Sequence, residues 1–261
     1  MENTAPVQSV RKALNVLDLV IEADVSGEAA PLAVLAGRMA MPRNSVHNLL
    51  KTLVACGYVE QQGRGLYVPG SKCRQMVRLS RFDGAAARER VARRLRRFVD
   101  AEHEACLLAV LANGRRVVVR YVDCHQAVRV SQTTIEETSF YEKPTGRMLA
   151  AVADEAELRQ ILDRHGLPGP QWDGIDDEPA LREALAALRT QGWCRIVHPD
   201  EVVALACPVA GEDGAAWAVV GTFAPGYRCP AAREKQLLEA LRRLAGDLAA
   251  AAAAPGASDA V

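Results

Sequence analysis

Apolar residues recur at helical spacing near the start of the chain, at positions 10, 13, 14, 16, 17, 20 and 21, which predicts an amphipathic helix with Ser9 as its N-cap. Ser26-Gly27 breaks the pattern. Pro31 then opens a short helix over Leu32 to Met39, and Pro42 opens a third, because the first-turn N–H that proline lacks has no partner inside a helix. In the third helix Val46, Leu49, Leu50 and Leu53 fall in one arc, counting about 100° per residue. Asn44, Asn48 and Lys51 point the other way, His47 and Thr52 flank them, and Arg43 and Ser45 lie at the leading edge. Gly57 is expected to close this helix. Tyr58-Val59-Glu60 and Leu66-Tyr67-Val68 then enclose a glycine-containing turn, a β-hairpin pattern. Three short helices and a hairpin predict a winged helix-turn-helix over residues 8–70.

Residues 71–104 read as connecting helices. A short one covers 72–82 and a longer one 85–103, in which Val91, Leu95, Phe98 and Val99 form an apolar stripe among six arginines. Such a helix either meets phosphates or packs its stripe on a neighbour as a linker; the linker is the expectation here. From residue 105 the pattern becomes β-rich. Ala105–Ala112 and Arg115–Val122 are joined by Asn113-Gly114, a tight-turn dipeptide, and Ala127–Gln132 reads as another strand. Helices are predicted over Thr145–Val152, from the capping-box pair Asp154 and Glu157 to Gly166, and over Pro179–Gln191. Strands at 202–210 and 215–224 and a helix at about 230–253 follow. Residues 105–253 are thus expected to form one α+β domain with helices inserted between hairpins of an antiparallel sheet. Residues 1–8 and 255–261 are expected to be mobile tails.

Charge sharpens this division. The net charge is zero, yet residues 1–100 hold 16 Lys/Arg against 9 Asp/Glu and residues 101–261 hold 16 against 23. A basic first part beside an acidic second part suggests that the first alone meets a polyanion. No apolar run approaches the ~18–20 residues of a membrane span, and the first residues carry no basic and apolar secretory pattern. The seven cysteines include no C-x-x-C pair and no zinc-ligand spacing. They are expected to be reduced core residues of a cytoplasmic protein.

Two short constellations invite a catalytic reading. His198-Pro199-Asp200-Glu201 has no second His or Cys at helical spacing and reads as a loop, not a metal site. Cys124-His125 resembles a nucleophile and base, but neighbours in a strand face opposite ways and cannot share a proton there. No cofactor and no metal are expected.

Four segments in register resemble the IclR family of bacterial transcriptional regulators: Ser9 to Asp18; Met41 to Leu53 followed by Gly57-Tyr58-Val59; Thr145-Gly146-Arg147-Met148-Leu149-Ala150; and Gln191-Gly192-Trp193 leading into Ala204 to Val209. The resemblance covers roughly residues 8–250. It implies a GAF-like effector domain, homodimers or tetramers, and small organic acids or aromatic metabolites as ligands. The chain departs from the family in carrying Asn48 where Arg is common and Ala204 where a pocket Cys is common. Gly221 and Phe223 stand at two small hydroxyl positions, and the stretch between Gly192 and Ala204 is about one residue short.

The expectation is therefore a DNA-binding regulator whose operator binding is modulated by a small-molecule effector. On duplex DNA, Asn44 and Asn48 can pair with adenine and Arg43 can reach guanine or phosphate, while Ser45, His47, Lys51 and wing Arg64 hold the backbone. For the effector, the N–H groups of Thr145, Gly146 and Arg147 would take a carboxylate at a helix start that Pro144 fixes. Arg129 and Arg147 would add charge, and Ala204, Ala206, Gly221 and Phe223 an apolar wall. Gly146 would let the ligand approach the backbone, and the Val91–Leu95–Phe98 stripe is a candidate dimer seam. Two rival classes stand beside this one: an enzyme on a GAF-like domain, and a winged helix that binds a protein partner.

Overall fold

A computed structural model describes residues 7–63, 65–81, 84–127, 139–211 and 214–253. The contacts divide the chain into two compact units, residues 1–78 and 79–261. Among the described residues no helix is long and apolar enough to cross a membrane.

The first unit holds α1 (Gln8–Ser26), α2 (Leu32–Arg38), α3 (Arg43–Ala55) and a hairpin of β1 (Val59–Gln62) and β2 (Leu66–Pro69), followed by α4 (Ser71–Ser80). The helical arcs read from the sequence meet in one core: Val16, Leu17 and Val20 of α1, Leu35 of α2, Val46, Leu50 and Leu53 of α3, and Val59 and Tyr67 of the hairpin. Each aliphatic side chain removed from water there contributes about 1.5–3 kcal/mol. Two termini differ from expectation. Val7, not Ser9, is the N-cap of α1, and no side-chain cap bond forms, so Ser9 lies inside the first turn. Pro31 and Pro42 sit one position earlier than expected, as N-caps of α2 and α3. Cys56 caps α3, and Gly57 (φ +78°) turns the chain into β1.

The second unit is built on a five-stranded antiparallel sheet in the order β4-β3-β7-β6-β5. Its elements are α5 (Gly84–Glu102), β3 (Ala105–Ala112), β4 (Arg115–Val122), α6 (Pro144–Val152), α7 (Glu155–His165), α8 (Glu178–Gln191), β5 (Cys194–Val197), β6 (Val202–Ala210), β7 (Ala216–Pro225) and α9 (Ala231–Ala253). Asn113 and Gly114 both take positive φ, the turn that suits the twist of a two-residue hairpin. Asp154 and Glu157 form the expected capping box of α7. The α+β architecture is as the sequence pattern predicts.

Strand β5 escaped the sequence reading. It is four residues long, alternates with Arg195, and earns its place only by pairing Cys194 to Val197 against Ala206 to Val203. The stripe on α5 is also placed differently. Val91, Leu95 and Phe98 are buried in the core of their own unit, where α5 packs on α9, β3 and β4, so this stripe is not a dimer seam. The strand expected over Ala127–Gln132 lies almost wholly outside the described residues, as do residues 1–6 and 254–261.

Candidate DNA-reading face and ligand cleft

Helix α3 turns its apolar arc to the core and leaves Arg43, Asn44, His47, Asn48 and Lys51 exposed, with Ser45 half-buried. This division follows from the 3.6-residue period, since Val46, Leu50 and Leu53 occupy the opposite arc. Among the described residues none of those five exposed side chains has an ion pair or hydrogen bond within the chain. They form a row of donors, acceptors and cations whose partners are solvent. Elsewhere in the unit, charged side chains do pair, as Arg38 with Glu22 (2.6 Å) and Arg74 with Glu60 (2.8 Å). Arg64, expected to reach a phosphate from the wing, lies outside the described residues.

The second unit contains a cleft of about 450 Å³ between the sheet and the start of α6. Six of the nine residues expected to touch an effector border it: Pro144, Thr145, Arg147, Ala204, Gly221 and Phe223. Register explains the apolar side. Gly221 pairs with both Leu107 and Ala206, and Phe223 pairs with Ala204, so Leu107, Ala204, Gly221 and Phe223 point to one face. Ile196 pairs with Ala204 and extends that face onto β5. A Cβ at Gly221 would lie 2.6 Å from Thr145 Cγ2, so glycine there lets α6 approach β7 closely.

Three expected residues do not border the cleft as described. Arg129 lies outside the described residues. Ala206 shares the sheet face but is fully buried and does not reach the cleft. Gly146 is small for a different reason than ligand approach: a Cβ there would overlap the Phe140 carbonyl oxygen. The helix start is also less open than its position suggests. Gly146 N–H and Arg147 N–H both donate to Lys143 O at 3.0 Å, so two of the three presumed anion donors are satisfied within the chain. The Arg147 side chain is committed as well. Its Nε donates to Tyr141 O and its Nη2 to Gln171 O, both at 2.7 Å, and the guanidinium lies 4.6 Å from the centre of the Trp172 ring. Its burial pushes the guanidinium pKa down.

Two cations that the sequence reading passed over stand on the cleft wall, Arg116 and Lys143. Arg116 Nε donates to Thr145 Oγ1 at 2.6 Å, and Lys143 Nζ donates to Ser139 O at 3.3 Å. Arg116 reaches this face through a β-bulge. Leu107, Leu108 and Ala109 pair with Tyr121, Arg120 and Val118, so Val119 is the extra residue and the alternation of β4 flips beyond it. Tyr121, whose ring stacks 6.3 Å from that of Phe223, and Arg116 therefore share a face although they are five residues apart. Burial pushes the Lys143 ammonium pKa down to about 8; Arg116 adds to the fall and Glu142 opposes it.

The two catalytic readings find no support. Among the described residues no group of three His, Cys, Asp or Glu side chains could hold a metal. His198, Pro199 and Asp200 instead form part of the cleft border. Strand β4 ends at Val122, so Cys124 is not in a strand, yet Cys124 is buried while His125 is exposed. The buried thiols of Cys194 and Cys207 are pushed up to about 12 by desolvation, which makes them inert near neutrality.

Comparison with known proteins agrees with this division. The family profile of the bacterial transcriptional regulator IclR C-terminal domain matches residues 80–250, and that of the IclR helix-turn-helix domain matches residues 9–63. The chain is 24% identical to the HTH-type transcriptional regulator BhcR of Paracoccus denitrificans over 252 residues, covering 95% of this chain and 88% of that protein. It is 26% identical to the transcriptional repressor IclR of Escherichia coli over 193 residues, 73% of this chain and 69% of that one. Among solved structures, Thermotoga maritima IclR superposes with a TM-score of 0.53 at 16% identity, covering 93% of this chain and 98% of that one. An IclR homologue from Microbacterium hydrocarbonoxydans, solved in complex with 4-hydroxybenzoate, gives 0.53 at 21% identity, covering 95% and 100%. With both of its units matched by the corresponding domain profiles, the chain belongs to the IclR family of bacterial transcriptional regulators, and it is a DNA-binding regulator rather than an enzyme.

Proposed function

We propose that this regulator binds its operator through α3 and the wing, and that a small organic acid or aromatic metabolite in the cleft of the second unit modulates that binding. The observation that carries the reading is the separation of two polar surfaces, one on each unit. Arg43, Asn44, His47, Asn48 and Lys51 face solvent without internal partners, which suits base edges and phosphates. The cleft has a size typical of small-molecule sites and an apolar wall with a few polar groups. The 4-hydroxybenzoate complex of the Microbacterium homologue adds weight to an aromatic acid as ligand class.

One winged helix reads only a few base pairs, so a dimer or tetramer on a pseudo-palindrome is part of the proposal. With the α5 stripe buried, the surface offered to a second copy is on α1. Val10, Leu14, Ile21 and Val25 are exposed there within a narrow arc of the helix.

Selection of bound fragments from genomic DNA by the full-length protein tests the reading. The expected result is a small set of fragments sharing an inverted repeat, bound with a steep salt dependence, with affinity changed by 4-hydroxybenzoate or a related acid. Binding without sequence preference, or with a flat salt dependence, refutes the operator role. Sedimentation at micromolar concentration, with and without a selected fragment, should show at least a dimer, and Leu14→Glu should shift it towards monomer.

A further inference from the structure

We infer that Lys143 and Arg116 form an anion subsite in the cleft, and that the ligand it takes is a monocarboxylate carried on an apolar body. This rests on the reading of the cleft as an effector site and deepens it. Both side chains border the cleft, and each is oriented by a bond to the segment that starts α6: Arg116 to the Thr145 hydroxyl and Lys143 to the Ser139 carbonyl. Cations held in place before a ligand arrives cost little further ordering when it binds.

The charge balance favours an anion. Lys143 is only 8% exposed, and an ammonium drawn out of water is costly unless paired. The groups that act on it are Arg116 from β4, Glu142 from its own segment and His165 from the end of α7. The Glu142 carboxylate accepts a bond from Ser139 N–H at 2.8 Å. Burial pushes His165 below the usual histidine range, so it is neutral above pH 7. Arg116 and Lys143 thus place two cations beside one carboxylate that is already engaged.

The class of anion follows from the donors. A phosphate calls for several convergent N–H groups, and the helix start withholds two, because Gly146 and Arg147 donate to Lys143 O. A carboxylate needs only the ammonium and one fork of guanidinium. Ala204, Gly221 and Phe223 then offer the apolar wall for the rest of the molecule.

The test uses the full chain and matched acid–amide probes: benzoate against benzamide and acetate against acetamide, by thermal melting and titration calorimetry. The acid of each pair should bind at least about tenfold more tightly, and its affinity should fall about tenfold per pH unit above the free-state Lys143 pKa near 8 while the amide stays flat. Lys143→Met should abolish the acid preference and Lys143→Arg should keep it. If either variant fails to fold, the pH profile of the natural chain still decides. Equal binding of acid and amide, no binding of either acid at millimolar concentration, or an acid preference that survives Lys143→Met overturns the subsite. Binding to non-specific duplex DNA at low salt is measured in parallel. A chain that binds DNA without acid preference refutes the subsite alone; one that prefers acids but ignores DNA refutes the regulator reading.

Discussion

The exposed face of α3 and the wall of the cleft both collect polar side chains, and they treat them in opposite ways. On α3, Arg43, Asn44, His47, Asn48 and Lys51 have no partner in the chain. In the cleft, Arg116, Lys143 and Arg147 are each tied to a neighbour, and the backbone beneath them is packed tightly enough that Gly146 admits no side chain. The difference follows from what each surface meets. A duplex brings many phosphates and releases counterions as it binds, so loose, solvated side chains are adequate. A small molecule makes few contacts and cannot offset the ordering of long side chains, so its site must be built beforehand.

That contrast can be broken most severely at Gly146. Gly146→Val drives a side chain into the Phe140 carbonyl oxygen and should cost the second unit at least about 3 kcal/mol. Calorimetry should show its transition lowered while the first unit melts as before. Loss of ligand response in this variant would then reflect unfolding, and a normal melting profile would show that Phe140 and α6 can separate cheaply.

Lys143→Met should act in the other direction. The folded pKa of Lys143 is depressed from 10.5 to about 8. The folded state therefore carries its full penalty below pH 8, and the penalty lifts as pH rises from 8 to 10.5, where the folded chain holds fewer protons than the unfolded one. The ligand-free variant should melt higher than the natural chain at pH 7, by an amount equivalent to roughly 1–2 kcal/mol. The gap should close above about pH 10. A gap independent of pH would mean that packing, not charge, separates the two.

On α3 the expected changes spare stability and alter recognition. Asn48→Ala should cost about 1–3 kcal/mol of discrimination at one position per half-site. Arg43→Ala and Lys51→Ala should each flatten the dependence of log K on log salt by about 0.9. Melting temperatures should stay put, because none of these side chains holds another part of the chain. An unchanged footprint and base preference in Asn48→Ala would remove α3 from the reading role. The smallest effect belongs to Asp154, whose side chain accepts from Glu157 N–H at 2.8 Å. Asp154→Ala should lower the stability of the second unit by about 1 kcal/mol, seen as a small shift in its transition.

Periodicity and turn chemistry along the chain determined a good deal. The arcs of α1 to α3 and their shared core, the solvent-facing row on α3, the Asn113-Gly114 turn and the Asp154–Glu157 box are all local: each depends on residues a few positions apart, and each is found in the structure. The apolar side of the cleft was legible for a related reason, since Ala204, Gly221 and Phe223 alternate along their strands. What only the tertiary structure decided depends on which surfaces meet. No spacing reveals that the α5 stripe packs within its own unit, that Cys194 to Val197 finds β6 as a partner, or that the close neighbour of Gly146 is Phe140. Arg116 is the clearest case. By strict alternation from Tyr121 it belongs on the other side of the sheet, and one unpaired residue, Val119, turns it into the cleft beside Lys143. A bulge is set by long-range pairing of β3 with β4, so neither cation announces its role in the sequence around it.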